Sequence, residues 1–242
     1  MLKTENIMGI HFINATMDEL QMVLEDRIDR GEKSFVVTAN PEILMYSEKD
    51  QEYRGILESA TMVTPDGAGI ILAGKILGKP LKERLAGYDL FLRLLTASAK
   101  KGYKVYFLGA QRDVLETAIA NAKNEYPGLN VAGYHDGYFQ DDSSIVNDLK
   151  KLKPDIVFVG LGFPKQEKWI NLHLSEMEKG LFIGLGGSFD GLAGKMKRAP
   201  EVWQKMNIEW LHRLIQQPSR WRRMLALPVF VGKIFKHKGK KA

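Results

Sequence analysis

The chain is 242 residues long, with 45% hydrophobic and 26% charged residues, a balance that excludes a disordered, collagenous or fully membrane-embedded protein. That length allows one large domain, or a domain with an appendage, and burial of roughly three-quarters of the unfolded surface. With no cysteine, disulfides, thiolate zinc sites, iron–sulfur clusters and thiol nucleophiles are all excluded; chemistry must come from oxygen, nitrogen and backbone groups, and a reducing cytosol fits.

The net charge of +6 is unevenly spread. From Trp210 to Ala242 there are nine basic residues and no acidic one, whereas the first 209 residues carry 26 basic and 29 acidic side chains. This asymmetry points to an anionic partner at the C-terminal end. The opening residues Met1 to Asn6 lack the apolar stretch of a signal peptide, and the longest apolar run, Met224 to Val231, is too short to span a bilayer. The expectation is a protein made and kept inside the cell.

In chain order, the first predicted strand is Ile7–Phe12. Thr16 and Glu19 then form a capping box before a helix over Met17–Asp29. A strand at Ser34–Thr38 leads into Asn40-Pro41, a helix start with proline at its first position. Strands at Thr61–Thr64, Lys104–Leu108, Asn130–Tyr134, Asp155–Gly160 and Leu181–Gly184 alternate with helical patterns. Those patterns run over Ala68–Leu77, Tyr88–Lys100, Asp113–Glu125, Ile145–Leu152 and Lys165–Leu174. Beyond Arg198-Ala199-Pro200, the residues Val202, Trp203, Met206, Trp210 and Leu214 recur at helical spacing. They predict an amphipathic helix over Glu201–Gln217, broken at Pro218 before a second, basic helix. The expected fold class is α/β: a Rossmann-like, mostly parallel sheet with flanking helices and a C-terminal amphipathic helical appendage. The boundary falls between a core of residues 1–195 and a basic appendage of residues 196–242.

Ligands in such sheets bind beyond the carboxyl ends of the strands. Here those ends read Thr38-Ala39-Asn40-Pro41-Glu42, Thr64-Pro65-Asp66-Gly67-Ala68-Gly69, Gly109-Ala110-Gln111, Gly160 to Glu167 and Gly184 to Asp190. Their glycines permit tight turns and close approach of a phosphate to main-chain N–H groups. No Walker loop or complete dinucleotide fingerprint is present, which counts against a Rossmann oxidoreductase but allows a nucleotide-sugar. Asp66 is either the cap of the helix it opens or a carboxylate at the mouth of the site able to act as general base. Thr38 and Asn40 orient substrate or cap the Pro41 helix. Arg84 is a solvated loop charge or a phosphate clamp. There is no D-x-D pair, and the five histidines lack i,i+4 partners, so no metal site is expected.

Six segments in order, T-A-N-P-E (38–42), T-P-D-G-x-G (64–69), R-x-x-G-x-D (84–89), G-L-G-F-P-K-Q-E (160–167), G-x-G-G-S-F-D (184–190) and R-A-P (198–200), resemble the WecG/TagA/CpsF glycosyltransferase family, and its TagA branch most closely. The resemblance covers nearly the whole chain. It implies an inverting enzyme without metal or other cofactor, moving N-acetylmannosamine from a UDP-sugar donor to a polyprenyl-diphosphate-linked N-acetylglucosamine acceptor. In the TagA branch this makes the wall teichoic acid linkage unit; a related donor such as the uronic acid is the alternative. It further implies Asp66 as catalytic base with Thr38 beside it. Asn40, Arg84, Gly109, Gln166, Gly186 and Asp190 are the expected substrate-binding residues, joined by Arg213, Arg220 and Arg223 from the appendage. The expected place is the cytoplasmic face of the cell membrane, held peripherally on an anionic surface. A nucleic-acid partner, which the basic tail alone would permit, is not expected; a homo-oligomer is left open.

Overall fold

The computed structural model describes residues 2–195, 200, 203, 215 and 226–239. Among them, eight strands form one sheet: β1 (Thr4–Ile7), β2 (Ile10–Ile13), β3 (Lys33–Ala39), β4 (Met62–Pro65), β5 (Lys104–Gly109), β6 (Asn130–His135), β7 (Ile156–Gly160) and β8 (Gly180–Gly184). Their spatial order is β1-β2-β4-β3-β8-β7-β5-β6. Every pairing except the β1–β2 hairpin is parallel, so the fold is the expected α/β sheet.

Alternation along the strands sends side chains to both faces. Phe35, Val37, Tyr106, Leu108, Val157, Val159 and Phe182 enter one core. Their neighbours Val36, Val105, Phe107, Ile156, Phe158, Leu181 and Ile183 enter the other. A sheet apolar on both faces requires helices on both. The first core is covered by α2 (Pro41–Ser47), α3 (Gln51–Ser59), α4 (Ala68–Ile76), α7 (Ser143–Leu152) and α8 (Lys165–His173). The second is covered by α1 (Met17–Asp29), α5 (Gly87–Lys101), α6 (Arg112–Glu125) and the short α9 (Ser188–Leu192). Phe91, Phe107, Phe158 and Phe189 meet edge-on or tilted in the second core, the closest pair with centroids 4.8 Å apart.

Local signals set the helix starts. Thr16 and Glu19 close the predicted capping box on α1. Asn40 accepts from the Ile43 N–H and places Pro41 at the first position of α2, and Asp50 caps α3 through the Tyr53 N–H. Two expectations change. The predicted strand Ile7–Phe12 is a hairpin: Met8 (φ +54) and Gly9 (φ +92) both turn left-handed, pairing Ile7 with Ile10. Asparagine at Asn6 supports the turn by accepting from the Gly9 N–H. Helix α3 was not predicted, because Gln51–Ser59 buries only Tyr53, Ile56 and Leu57.

Toward the C-terminus, α10 (Ala226–Gly239) packs across α2 and α4. Phe230 and Ile234, one turn apart, are each 1% exposed and join the first core, and Lys233 pairs with Glu48 at the end of α2. Phe230 is therefore packed on the α/β body. The predicted 201–217 helix lies outside the described residues apart from Trp203 and Ile215, as do Arg213, Arg220 and Arg223.

At the carboxyl edge, Gly109 ends β5 at φ +130, and a Cβ there would lie 2.4 Å from the Gly160 carbonyl of β7. Gly109→Ala combines backbone strain with a backbone clash. It is expected to cost roughly 3 kcal/mol or more. Gly102→Ala, left-handed at φ +75 but with open space around it, should cost about 1 kcal/mol. Urea unfolding of the two variants gives both values; equal losses would show that the β5–β7 contact is not the constraint.

Candidate active site

The carboxyl ends of five neighbouring strands, β4-β3-β8-β7-β5, bring most of the expected residues to one edge. Register pairs Thr38 with Thr64 and Ala39 with Pro65. The next residue, Asp66, donates its N–H to the Ala39 carbonyl at 2.9 Å, which fixes the base candidate at the mouth between β3 and β4. Gly67 follows at φ +95 and serves as the N-cap of α4, a backbone that side chains rarely adopt. Asp66 is therefore not the helix cap; it stands one residue before it. A Cβ on Gly67 would sit about as far as ordinary contact from Pro41 and Asn40, so Asn40 borders the same corner. Asn40 spends its side-chain oxygen on capping α2, leaving its amide hydrogens to donate.

A second helix start faces Asp66. The Gly87 N–H of α5 points at Asp66 Oδ2 at 3.5 Å, and the positive end of the helix favours a carboxylate there. Gly87 leaves little room for a side chain: a Cβ there would lie 3.0 Å from Thr38 Oγ1. The Thr38 hydroxyl itself donates to the Gly184 carbonyl at 3.1 Å, tying β3 to the end of β8. Arg84 is half-buried on the loop before α5, and its neighbour Leu85 donates to the Pro65 carbonyl at 2.9 Å, so the loop holding Arg84 is stitched to the Asp66 corner.

On the other side of β3, Gln166 is 4% exposed. Its Oε1 accepts from the Gly186 N–H at 2.9 Å, and its Nε2 donates to Glu167 Oε1 at 2.7 Å. Asp190 is half-buried in α9, with its carboxylate over the Gly187 turn. Gly109 lies farther along the edge, where Ala110 donates to the Gly160 carbonyl and Gly137 to the Ala110 carbonyl. Thus Thr38, Asn40, Asp66 and Arg84 gather at one corner, Gln166, Gly186 and Asp190 adjoin it through β8, and Gly109 stands two strands beyond β8. Among the described residues, no three histidine, aspartate or glutamate side chains gather to hold a metal ion.

One residue of this edge was missed. Glu167 is completely buried, and among the described residues its Oε2 has no partner in hydrogen-bonding geometry. Burial pushes its carboxyl above the ordinary glutamate range, against the lowering pull of the Gln166 amide. The Tyr53 hydroxyl is likewise buried and lacks hydrogen-bonding geometry; burial first, and the nearby Glu167 charge second, push it up. The available signal was spacing: Glu167 and Ile170, three apart, both sit on the buried side of α8.

The raised Glu167 carboxyl sets a sign for pH dependence. In acid the group is protonated in folded and unfolded chains alike, and its burial costs no charge. As pH rises through the ordinary glutamate value the unfolded chain loses the proton while the folded chain keeps it, so stability falls until the folded value is passed. Glu167→Gln should therefore gain stability relative to the parent as pH rises from acid through the ordinary glutamate value, measured by urea unfolding in acid and at neutral pH. A constant difference would show that Glu167 titrates normally.

A carboxylate beside a helix start, on the carboxyl edge of a parallel sheet with glycine turns, is placed where α/β sheets bind their ligands and could act as a general base. The model described as "Glycosyl transferase WecG/TagA/CpsF family" matches residues 5–242, and the chain belongs to that family. It is 38% identical over 237 residues, 98% of this chain and 92% of the relative, to the N-acetylglucosaminyldiphosphoundecaprenol N-acetyl-beta-D-mannosaminyltransferase of Bacillus spizizenii. Proteins of the same description from Bacillus subtilis strain 168 (37%, covering 99% of this chain and 94% of the relative) and Staphylococcus aureus strain MW2 (38%, covering 97% and 93%) are similarly alike.

Proposed function

We propose that this protein transfers N-acetylmannosamine from a UDP donor to a polyprenyl-diphosphate-linked N-acetylglucosamine, making a wall teichoic acid linkage unit with inversion and without a metal. The observation that carries the reading is Asp66, held at the strand edge by its own N–H and facing the start of α5, in a chain alike along its length to transferases of that description. In the reaction, an acceptor hydroxyl oxygen attacks the anomeric carbon while the bond from that carbon to the UDP oxygen breaks. Asp66 receives the hydroxyl proton, and UDP leaves with the electron pair. Asn40, Arg84 and the glycine turn around Gly186 hold donor and acceptor, Thr38 positions the base side, and Arg213, Arg220 and Arg223 balance charge on the leaving diphosphate.

Asp66→Asn should lower turnover by roughly 10²–10⁴ while UDP still binds, in an assay with UDP-N-acetylmannosamine, a short-chain lipid-linked acceptor and excess EDTA. Thr38→Ala should be less impaired. Near-normal turnover of Asp66→Asn overturns the base assignment, and activity only after Mg²⁺ or Mn²⁺ is restored overturns metal independence. The uronic acid donor, run in parallel, decides between the two sugars.

The same reading puts the enzyme on the inner face of the cell membrane. It is supported by α10, where Val229 and Phe235 are 54% and 57% exposed beside exposed Lys236 and Lys238, and by Leu72, exposed on the adjoining apolar α4. Among the described residues no helix is long and apolar enough to cross a membrane, and a surface helix of this composition binds a headgroup layer. Replacing both Val229 and Phe235 by glutamate should weaken binding to anionic liposomes by roughly tenfold or more with the melting temperature unchanged. Unaltered sedimentation with liposomes would remove α10 from the membrane contact.

A further inference from the structure

Glu167 has no part in the chemistry above, yet it is a fully buried carboxyl beside the site. Its Oε1 takes one hydrogen of the Gln166 amide, and the oxygen of that amide takes the Gly186 N–H. Gln166 reaches this place because Gly184 lacks a side chain: a Cβ there would lie 2.6 Å from Gln166 Nε2 and 3.1 Å from Glu167 Oε1. The amide has one workable orientation. Turned by half a rotation, it would set its oxygen against Glu167 Oε1 and its NH2 against the Gly186 N–H, two repulsive pairs. The turn it grips needs gripping: Gly186 is left-handed at φ +53 with open space where a side chain would be, and Gly187 follows. The other hold on this segment comes from Thr38, whose hydroxyl donates to the Gly184 carbonyl.

We propose that Glu167 is a positioning residue: through Gln166 it holds the Gly184–Gly187 turn against Thr38, and so sets the wall of the site opposite Asp66. The proposal rests on the transfer reaction proposed above. What Glu167 supplies is an acceptor oxygen, Oε1, at a fixed point. A neutral amide at this position supplies the same acceptor; a shorter acid does not, because removing one methylene withdraws the oxygen by about 1.5 Å.

The test compares Glu167→Gln with Glu167→Asp, both conservative enough to fold, by steady-state kinetics, melting temperature and amide hydrogen exchange at Gly186 followed by NMR. Glu167→Gln should retain most of kcat and the exchange protection of Gly186. Glu167→Asp should lose about tenfold in kcat and about tenfold in Gly186 protection, with the amides of β5, which does not pair with β8, unchanged. Gln166→Leu should match Glu167→Asp, and combining the two should be no worse than either. The opposite order, with the aspartate variant active and the glutamine variant inactive, would make the ionisable group itself the requirement and overturn the proposal. So would full kcat and full Gly186 protection in Glu167→Asp. The exchange measurement needs no turnover, so loss of Gly186 protection in a protein that proves inactive on mannosamine donors would discard the reaction and keep the Glu167–Gln166–Gly186 link.

Discussion

A parallel strand must be re-entered from the same end, so after the β1–β2 hairpin each described strand of this sheet is reached through a crossover and delivers its carboxyl end to one edge. That constraint is the source of the site. β3 and β4 lie side by side with Thr38 opposite Thr64, and β8, the last of the described strands, inserts next to β3. Residues separated by nearly 150 positions, Thr38 and Gly184, are thereby within hydrogen-bond reach. Helices leaving the edge begin there as well, which aims unpaired N–H groups at the same space and makes it hospitable to carboxylate and phosphate.

Close approach is the second requirement, and it explains why the edge is so rich in glycine. Gly87 leaves room for Thr38, Gly184 for Gln166 and Gly160 for Phe189. In each case the missing side chain is filled by a neighbour, not by solvent, so these positions set the spacing of the site through packing. The left-handed Gly67 does something different: it lets the chain turn from β4 into α4 immediately after Asp66. The polar groups brought in by this packing are costly unless paired. Gln166 is paired twice. Glu167 has a partner in hydrogen-bonding geometry at one oxygen only.

Much of this was legible in the sequence, and the exceptions have physical reasons. Strands such as β3 and β7 are nearly continuous apolar runs because both faces are covered, and they stood out. The capping box at Thr16 and the proline at Pro41 announced α1 and α2 through local hydrogen bonding. The β1–β2 hairpin was hidden because methionine, at Met8, occupies a left-handed position that usually advertises itself with asparagine or glycine. Strand order was also out of reach, since nothing local tells β8 to lie beside β3. Of the site, Asp66 and its glycine turn could be read as a base or a cap from chemistry alone, and the structure separates Asp66 from the cap itself. Gln166 was known only through family resemblance, which implied substrate contact; the structure adds that its amide bonds to Glu167 and to the Gly186 N–H. Glu167 went unseen because a glutamate normally signals solvent, and only its burial beside Tyr53 reverses that inference.

The basic helix α10 has two unlike arcs. Phe230 and Ile234 are spaced by one turn and face α2 and α4, so α10 is fixed to the body by burial. Val229 and Phe235 are left outside on the remaining arc, among lysines. Since α4 begins directly after Asp66 and Gly67, and α10 rests on α4, a surface bound by the outer arc of α10 would lie one helix away from the proposed base. An acceptor carried on a long polyprenyl chain cannot leave the bilayer without exposing its hydrocarbon to water, at about 0.8 kcal/mol per CH₂. For such a substrate, attaching the proposed membrane-facing helix to the helix that follows the proposed base would bring the enzyme to the acceptor instead of the acceptor to the enzyme.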